Sequence, residues 1–253
     1  PEEPEAPLVA APAPPDPAVV DPQATAAPPA DTGAGQDAAA KDHWPRDSRV
    51  SYALSGHFRG PLYGSAQVLW QREGARYEAR VTMDISLAGT RTLTSQGEVT
   101  PAGLLPRVYE ETWRGNRRRV RLDDRELVFE SGATAPRPAG VQDTASQFVE
   151  LGWRFASGRE ALEVGRTVDV WLARPGAVDQ WTYDIAEREV LATPKLGAVE
   201  AFRLKPRPIA RPRGNITAEI WFAPSLQYLP ARIRVTLGED AWVDLMVDTI
   251  EQR

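Results

Sequence analysis

Tyr77-Glu78-Ala79-Arg80-Val81-Thr82-Met83-Asp84-Ile85-Ser86-Leu87 alternates apolar and polar side chains along its whole length. Successive side chains of a strand leave opposite faces, so the stretch reads as one strand with a dry face and a wet face. At about 3.3 Å per residue it spans about 35 Å, roughly twice the usual strand length. Long antiparallel strands twist and coil, and a sheet built from them wraps rather than lying flat. The expected fold is therefore all-β and mainly antiparallel. Its sheet is curved into an open or closed barrel, a β-shell, and a two-sheet sandwich is the alternative.

Working outward, Val50, Tyr52, Leu54 and Phe58 alternate in the same way, with Gly56 as a bend. Further strands are predicted at 64–72, 91–100, 107–114, 117–122, 126–131, 166–173, 178–191, 198–205, 215–222, 231–237 and 241–250. Glycine-containing turns separate many of them, among them Arg59-Gly60-Pro61, Glu73-Gly74, Gly115-Asn116 and Gly238-Glu239-Asp240. One segment changes period. Phe148, Leu151 and Phe155 recur at helical spacing, so 143–157 is predicted to be a short helix. Asp143 or Thr144 would cap it, and Gly158 would stop it. The helix is expected to cross the shell's mouth or plug its interior.

Residues 1–43 differ from the rest. The first forty carry ten of the 23 prolines, thirteen alanines, seven acidic residues and no basic or aromatic one. So little bulky apolar surface does not offset the entropy of ordering, and an unfolded, partly polyproline-like tether is expected there. A single domain is expected over 44–253. Outside the first forty residues stand thirty basic and twenty-eight acidic residues, so the net −5 belongs to the tether. Neither balance has the concentrated basic face of a nucleic-acid binder. The chain has no cysteine, which excludes thiol catalysis, thiolate metal sites and iron–sulfur clusters. Its opening inside a spacer leads to the expectation of a periplasmic protein held by an N-terminal anchor that lies outside this sequence.

Catalytic candidates are sparse. Of the two histidines, His43 falls in the tether and His57 on the first strand. A hydrolase or lyase would have to be built from His57 with Asp143 and Asp123. Glu110 and Glu111 are adjacent on a strand and leave opposite faces, while Glu187 and Glu189 read as a solvated face. No metal site and no cofactor are expected, and the glycine-rich phosphate loops are lacking. The arginines Arg117, Arg118, Arg119 and Arg121, and Arg207, Arg211 and Arg213, are suited to phosphate or carboxylate, or to protecting exposed strands. Tryptophans stand on predicted strands at 70, 113, 171, 181, 221 and 242. They are candidates for the core or, in an open shell, for a cavity lining. The candidate ligand-binding set is Trp70, Tyr77, Trp113, Trp181 and Trp221, with Arg117 and Arg119.

Several stretches resemble the bacterial domain of unknown function 3108. They are Tyr52 to Gly60 followed by Trp70 and Tyr77, Ser95-Gln96-Gly97 leading to Gly103-Leu104-Leu105-Pro106, and Gln142-Asp143 with Ser146. Near the end, Trp221-Phe222-Ala223-Pro224 and Tyr228-Leu229-Pro230-Ala231-Arg232-Ile233 are similar to its most recognisable signature. The resemblance spans roughly 48–250. It implies an exported protein, often anchored at its N-terminus, and a curved sheet like that of lipoprotein-carrier shells. It transfers no catalytic residue.

The expected function is a non-catalytic, tethered envelope-binding domain. Its ligand would be an apolar or amphipathic envelope molecule, such as a lipid-like compound or glycan, or a partner protein. The alternatives are the hydrolase or lyase above and a purely structural spacer.

Overall fold

The computed structural model describes residues 44–86, 88–209, 216–238 and 240–253. The predicted tether, Leu87, Arg211, Arg213, the first residue of the predicted 215–222 strand and Glu239 of the predicted turn lie outside them. The alternation from Tyr77 becomes β3 (Arg76–Ile85), in which Tyr77, Ala79 and Val81 are buried while Arg76 and Arg80 are exposed. On one side of it lie β2 (Pro61–Glu73) and β1 (Ser48–His57). On the other come β4 (Gly89–Thr100), β5 (Gly103–Trp113), β6 (Asn116–Leu122), β7 (Glu126–Phe129) and β8 (Thr134–Pro136).

A second run is made of β9 (Gln142–Asp143), β10 (Thr167–Arg174), β11 (Ala177–Thr193), β12 (Gly197–Pro206), β13 (Ile216–Ala223), β14 (Leu229–Leu237) and β15 (Trp242–Gln252). β1 to β8 and β10 to β15 are each a meander, β9 joins β10 across the helix, and pairing of β1 with β15 unites them into a fifteen-stranded sheet among the described residues. Among the described residues the strand pairs are antiparallel except β9–β10. There is one sheet, curled but not closed, and so a shell rather than a sandwich. Register shifts at Ser51/Tyr52, Gln96/Gly97, Ile185/Glu187 and Trp221/Phe222 add an unpaired residue on one side of a ladder. Such bulges bend a strand and increase its twist, which helps the sheet to curl.

The single α-helix among the described residues, α1 (Ser146–Ala156), lies in the concave side with Phe148, Leu151 and Phe155 in the core. It begins later than the predicted 143. Asp143 belongs instead to β9, where its Oδ1 accepts the N–H groups of Ala145 (2.9 Å) and Ser146 (2.8 Å). The aspartate thus satisfies backbone donors near the helix start from outside the helix. Gly152 brings the helix close to the β13–β14 connection: a Cβ there would sit 2.7 Å from the Tyr228 carbonyl oxygen. The predicted strand at 126–131 stops at Phe129, because Gly132 N–H turns back to the Phe129 carbonyl (2.9 Å). β8 and β9 are too short to show any period in the sequence.

Antiparallel pairing sets the two ends of the shell. His57 faces Pro61 and Trp242, so the turns β1–β2, β3–β4, β5–β6 and β14–β15 share one end, the rim. Ser48 faces Trp70 and Gln252 at the opposite end, where the helix lies.

Candidate binding surface

Inward side chains of the two runs pack into one buried cluster. Val50, Tyr52, Leu54, Val81, Leu93 and Tyr109 from the first meander meet Val170, Tyr183, Leu204, Ile220 and Leu245 from the second, all buried and in one cluster with the helix. At the helix end a second cluster stacks aromatic rings: Trp44 lies 4.4 Å from Trp153 and 6.2 Å from Trp70, and Trp70 lies 5.4 Å from Tyr77. Arg159 covers Trp153 at 4.6 Å.

Side chains seal the gap that the open sheet leaves. β5 pairs with β6 only from Val108 onward, which leaves an edge of β5 at its start. Leu104 N–H on that edge donates to Glu150 Oε2 (2.8 Å), and Leu104 O accepts from Gln142 Nε2 (3.0 Å). Two residues on, Pro106 has no N–H, and its carbonyl accepts from Arg137 Nη2 (3.1 Å). Groups that would seek another strand are thus answered by side chains from β9, the helix and the loop before them. Gly103 keeps room for this: a Cβ there would lie 2.6 Å from the Glu150 carboxylate.

Beside the seam, Ser95 Oγ donates to Asp143 Oδ2 (2.5 Å), and Tyr77 Oη lies 3.0 Å from Ser95 Oγ. Asp143 is wholly buried, and desolvation raises its pKa from 3.8 to about 6 despite the hydrogen bonds that favour its charge. Burial also raises the pKa of Glu150, against the pull of Arg154. Gln142, Asp143 and Ser146, on which part of the family resemblance rests, are therefore the residues that tie helix, seam and sheet together.

The seven sequence-derived candidates do not come together. Trp70 and Tyr77 are buried in the aromatic stack, and Trp181 is buried beneath Arg174. Trp221 is buried between Arg203 and Arg232, with its indole N–H on Glu189 (3.0 Å). Those charged groups border an outer cleft of about 350 Å³. A larger outer cleft of about 640 Å³ includes Asp47, Arg72, Glu78, Gln96, Glu98 and Arg107. Its polar groups largely answer one another, as in Gln96–Glu78 and Arg107–Glu98. The hydrolase set does not converge either. Asp143 is buried against Ser95, Asp123 pairs with Arg121 on the surface, and exposed His57 meets the Asp240 carbonyl. Counted through the strand registers, His57 and Ser95 are about nine positions apart, or about 30 Å along the strands.

Trp113, Arg117 and Arg119 lie together at the rim, in or beside the β5–β6 turn. Large apolar side chains are exposed there: Phe58 at 57%, Tyr63 at 65% and Trp113 at 45%. Hydrogen bonds link their turns. Ser86 N–H donates to Tyr63 O (2.9 Å), and Ala88 O accepts from Trp113 Nε1 (3.2 Å) and Arg114 Nε (3.1 Å). Two turns repeat one device, Phe58-Arg59-Gly60 and Trp113-Arg114-Gly115. In each the arginine has a left-handed φ, 55° at Arg59 and 49° at Arg114, and a glycine with positive φ follows. Each guanidinium lies over its aromatic neighbour, at 5.4 Å from the Phe58 centroid and 5.1 Å from Trp113. A third such pair, Arg234 over Trp242 at 4.7 Å, adjoins them across the His57–Trp242 register. A left-handed residue other than glycine or asparagine costs about 1 kcal/mol. Phe58, expected to continue the alternating row of the first strand, instead lies beyond β1 and is exposed, and Arg59 was expected only as part of a turn. Tyr63 and Arg114 escaped the sequence reading; the repeated aromatic-Arg-Gly turn was a signal for Phe58, Arg59, Trp113 and Arg114.

The sequence profile described as "Protein of unknown function (DUF3108)" matches residues 49–241. No curated protein matches the chain. Among solved structures, the chain is similar to a β-barrel-like protein of DUF1849 from Brucella abortus, at 10% identity and a TM-score of 0.49, covering 83% of this chain and 98% of that one. A DUF1329 family protein from Desulfovibrio piger is 8% identical with a TM-score of 0.32, covering 87% and 92%. A putative outer membrane lipoprotein-sorting protein domain from Vibrio parahaemolyticus is 10% identical with a TM-score of 0.28, covering 89% and 94%.

Proposed function

The chain belongs to the DUF3108 family of proteins of unknown function, and we propose that it is a non-catalytic cell-envelope binding domain that meets its partner through the outer surface of the shell. The observation that carries this reading is the contrast in packing. Inward side chains of the strands are buried against the helix, whereas Phe58, Tyr63 and Trp113 stand in water at one rim. A shell that held its ligand inside would need space where these core side chains meet. Exposed aromatic side chains grouped at one place are instead a mark of an interaction surface. A location in the envelope is part of the reading, supported by the acidic Pro/Ala-rich composition of the first forty residues, suited to a spacer.

Native mass spectrometry of the chain purified from its own envelope fraction tests the outer-surface reading. The expected mass is that of the chain alone, and a stoichiometric lipid or glycan adduct would overturn it. A photo-crosslinking residue placed at Tyr63 should capture an envelope component in cells. The same group at Val190, exposed at 69% on β11, should not.

A further inference from the structure

We infer that the rim docks on an anionic lipid surface, with its aromatic rings at the headgroup level and its arginines on the phosphates. This rests on the outer-surface reading and deepens it. Over residues 57–63, 84–86, 88–91 and 110–119, at and beside the three linked turns, stand six arginines (59, 91, 114, 117, 118, 119) against three carboxylates, Asp84, Glu110 and Glu111, with Glu130 accepting the Arg119 N–H beside them (2.9 Å). Glu111 pairs with Arg91 (3.0 Å) and Arg118 (3.2 Å), and Glu110 with Arg119 (2.9 Å) and Arg117 (3.7 Å). Glu110 and Glu111 each face two guanidinium groups, and Asp84 accepts from the Thr90 hydroxyl (2.5 Å), so the arginines outnumber the carboxylates and the sector stays cationic. Asp240 on the β14–β15 turn bounds it. The acidic first forty residues precede Trp44, which packs at the opposite end, away from the rim.

The residue types match one kind of surface. Tryptophan and tyrosine settle where an apolar body and a polar edge are both satisfied, as at a bilayer interface. Arginine is the fork that fits phosphate, and a cationic patch gains from the negative potential of an anionic leaflet. The left-handed arginines add a second observation. Glycine or asparagine would fill those turns with less strain, yet arginine is held there over an exposed ring at both tips. Hairpin tips at the end of a shell form a projecting row, which presses into a soft surface more readily than it encloses a peptide.

The test is co-sedimentation of the full chain at low ionic strength with phosphatidylcholine vesicles, with and without phosphatidylglycerol. Binding is expected to the anionic vesicles and to fall as salt is raised. The pair Arg59→Asn with Arg114→Asn keeps residues that accept the left-handed turn, so folding should be preserved, as circular dichroism would verify. It should weaken anionic-vesicle binding by about tenfold or more. Phe58→Ser with Trp113→Ser should weaken it as well, and should remove the blue shift of tryptophan emission on binding. Absence of vesicle binding, or binding that neither pair alters, overturns the lipid assignment. Self-association abolished by the same variants also overturns it, by making the rim a contact between copies. Those results leave the outer-surface reading standing, whereas a stoichiometric ligand adduct in the native mass spectrum removes the reading itself.

Discussion

The two ends of the shell use the same pair of residue types in opposite surroundings. At the helix end Arg159 lies 4.6 Å over Trp153, a ring only 1% exposed and stacked against Trp44. At the rim Arg114 lies 5.1 Å over Trp113, a ring 45% exposed. The chemistry of each pair is alike. What differs is the layer above it: the helix and Trp44 cover one end, while the described residues place no comparable layer over the rim. An aromatic residue becomes core where a second element faces it, and an interaction surface where none does.

This comparison can be broken most directly by truncating its buried ring. Trp153→Ala should cost about 3–5 kcal/mol in urea unfolding, as deletion of a large ring from a packed core does. A much smaller loss would mean that the helix end is not the stabilising half. The next effect is that of pH. Asp143 is raised from 3.8 to about 6 in the folded chain, so between those values the folded state holds more proton than the unfolded one. Its contribution to stability is fully present below about pH 4, falls as pH rises through about 6, and is level above. The shift of about two pH units corresponds to about 3 kcal/mol. Asp143→Asn keeps an acceptor for Ala145 and Ser146 without the charge. Its stability relative to the parent should therefore improve by up to that amount between pH 4 and 7, and a difference flat across that range would refute the buried-charge account.

Gly152→Ala should lower stability by about 1–3 kcal/mol, because its methyl group would press on the Tyr228 carbonyl. Thermal melting is a sufficient measure, and an unchanged midpoint would show that the helix has room to shift. The smallest effect belongs to the rim. Trp113→Ala should change stability by no more than about 0.5 kcal/mol. A loss as large as that at Trp153 would make the rim ring part of the core after all.

Most strands were legible because an alternating pattern of about ten residues leaves little choice of backbone. The stretch from Tyr77 to Ile85 and the row Val50, Tyr52 and Leu54 found their expected places, while Phe58 of that row fell beyond the strand. The helix was legible from Phe148, Leu151 and Phe155, though its first turn was not. Asp143 looks like an ordinary cap in sequence, and its role in β9 depends on Ser95, a residue forty-eight positions away. The rim was legible only in part. Trp113, Arg117 and Arg119 were singled out, but nothing local says that Phe58, Tyr63 and Trp113 stand beside one another at the same end of the shell. The buried candidates Trp70, Tyr77, Trp181 and Trp221 have the same composition and alternation as residues that could line a cavity.

The amino-acid order alone determined the all-β character, most strand and turn positions, the helix around Phe148, Leu151 and Phe155 and the lack of thiol chemistry, because these follow from period, turn chemistry and composition. Tertiary structure decided the pairing of the first strand with the last, the seam at Leu104 and the division of aromatic rings between interior and rim. Each of those depends on groups far apart in the chain meeting across the curl of the sheet, and period along a single strand carries no information about what faces it.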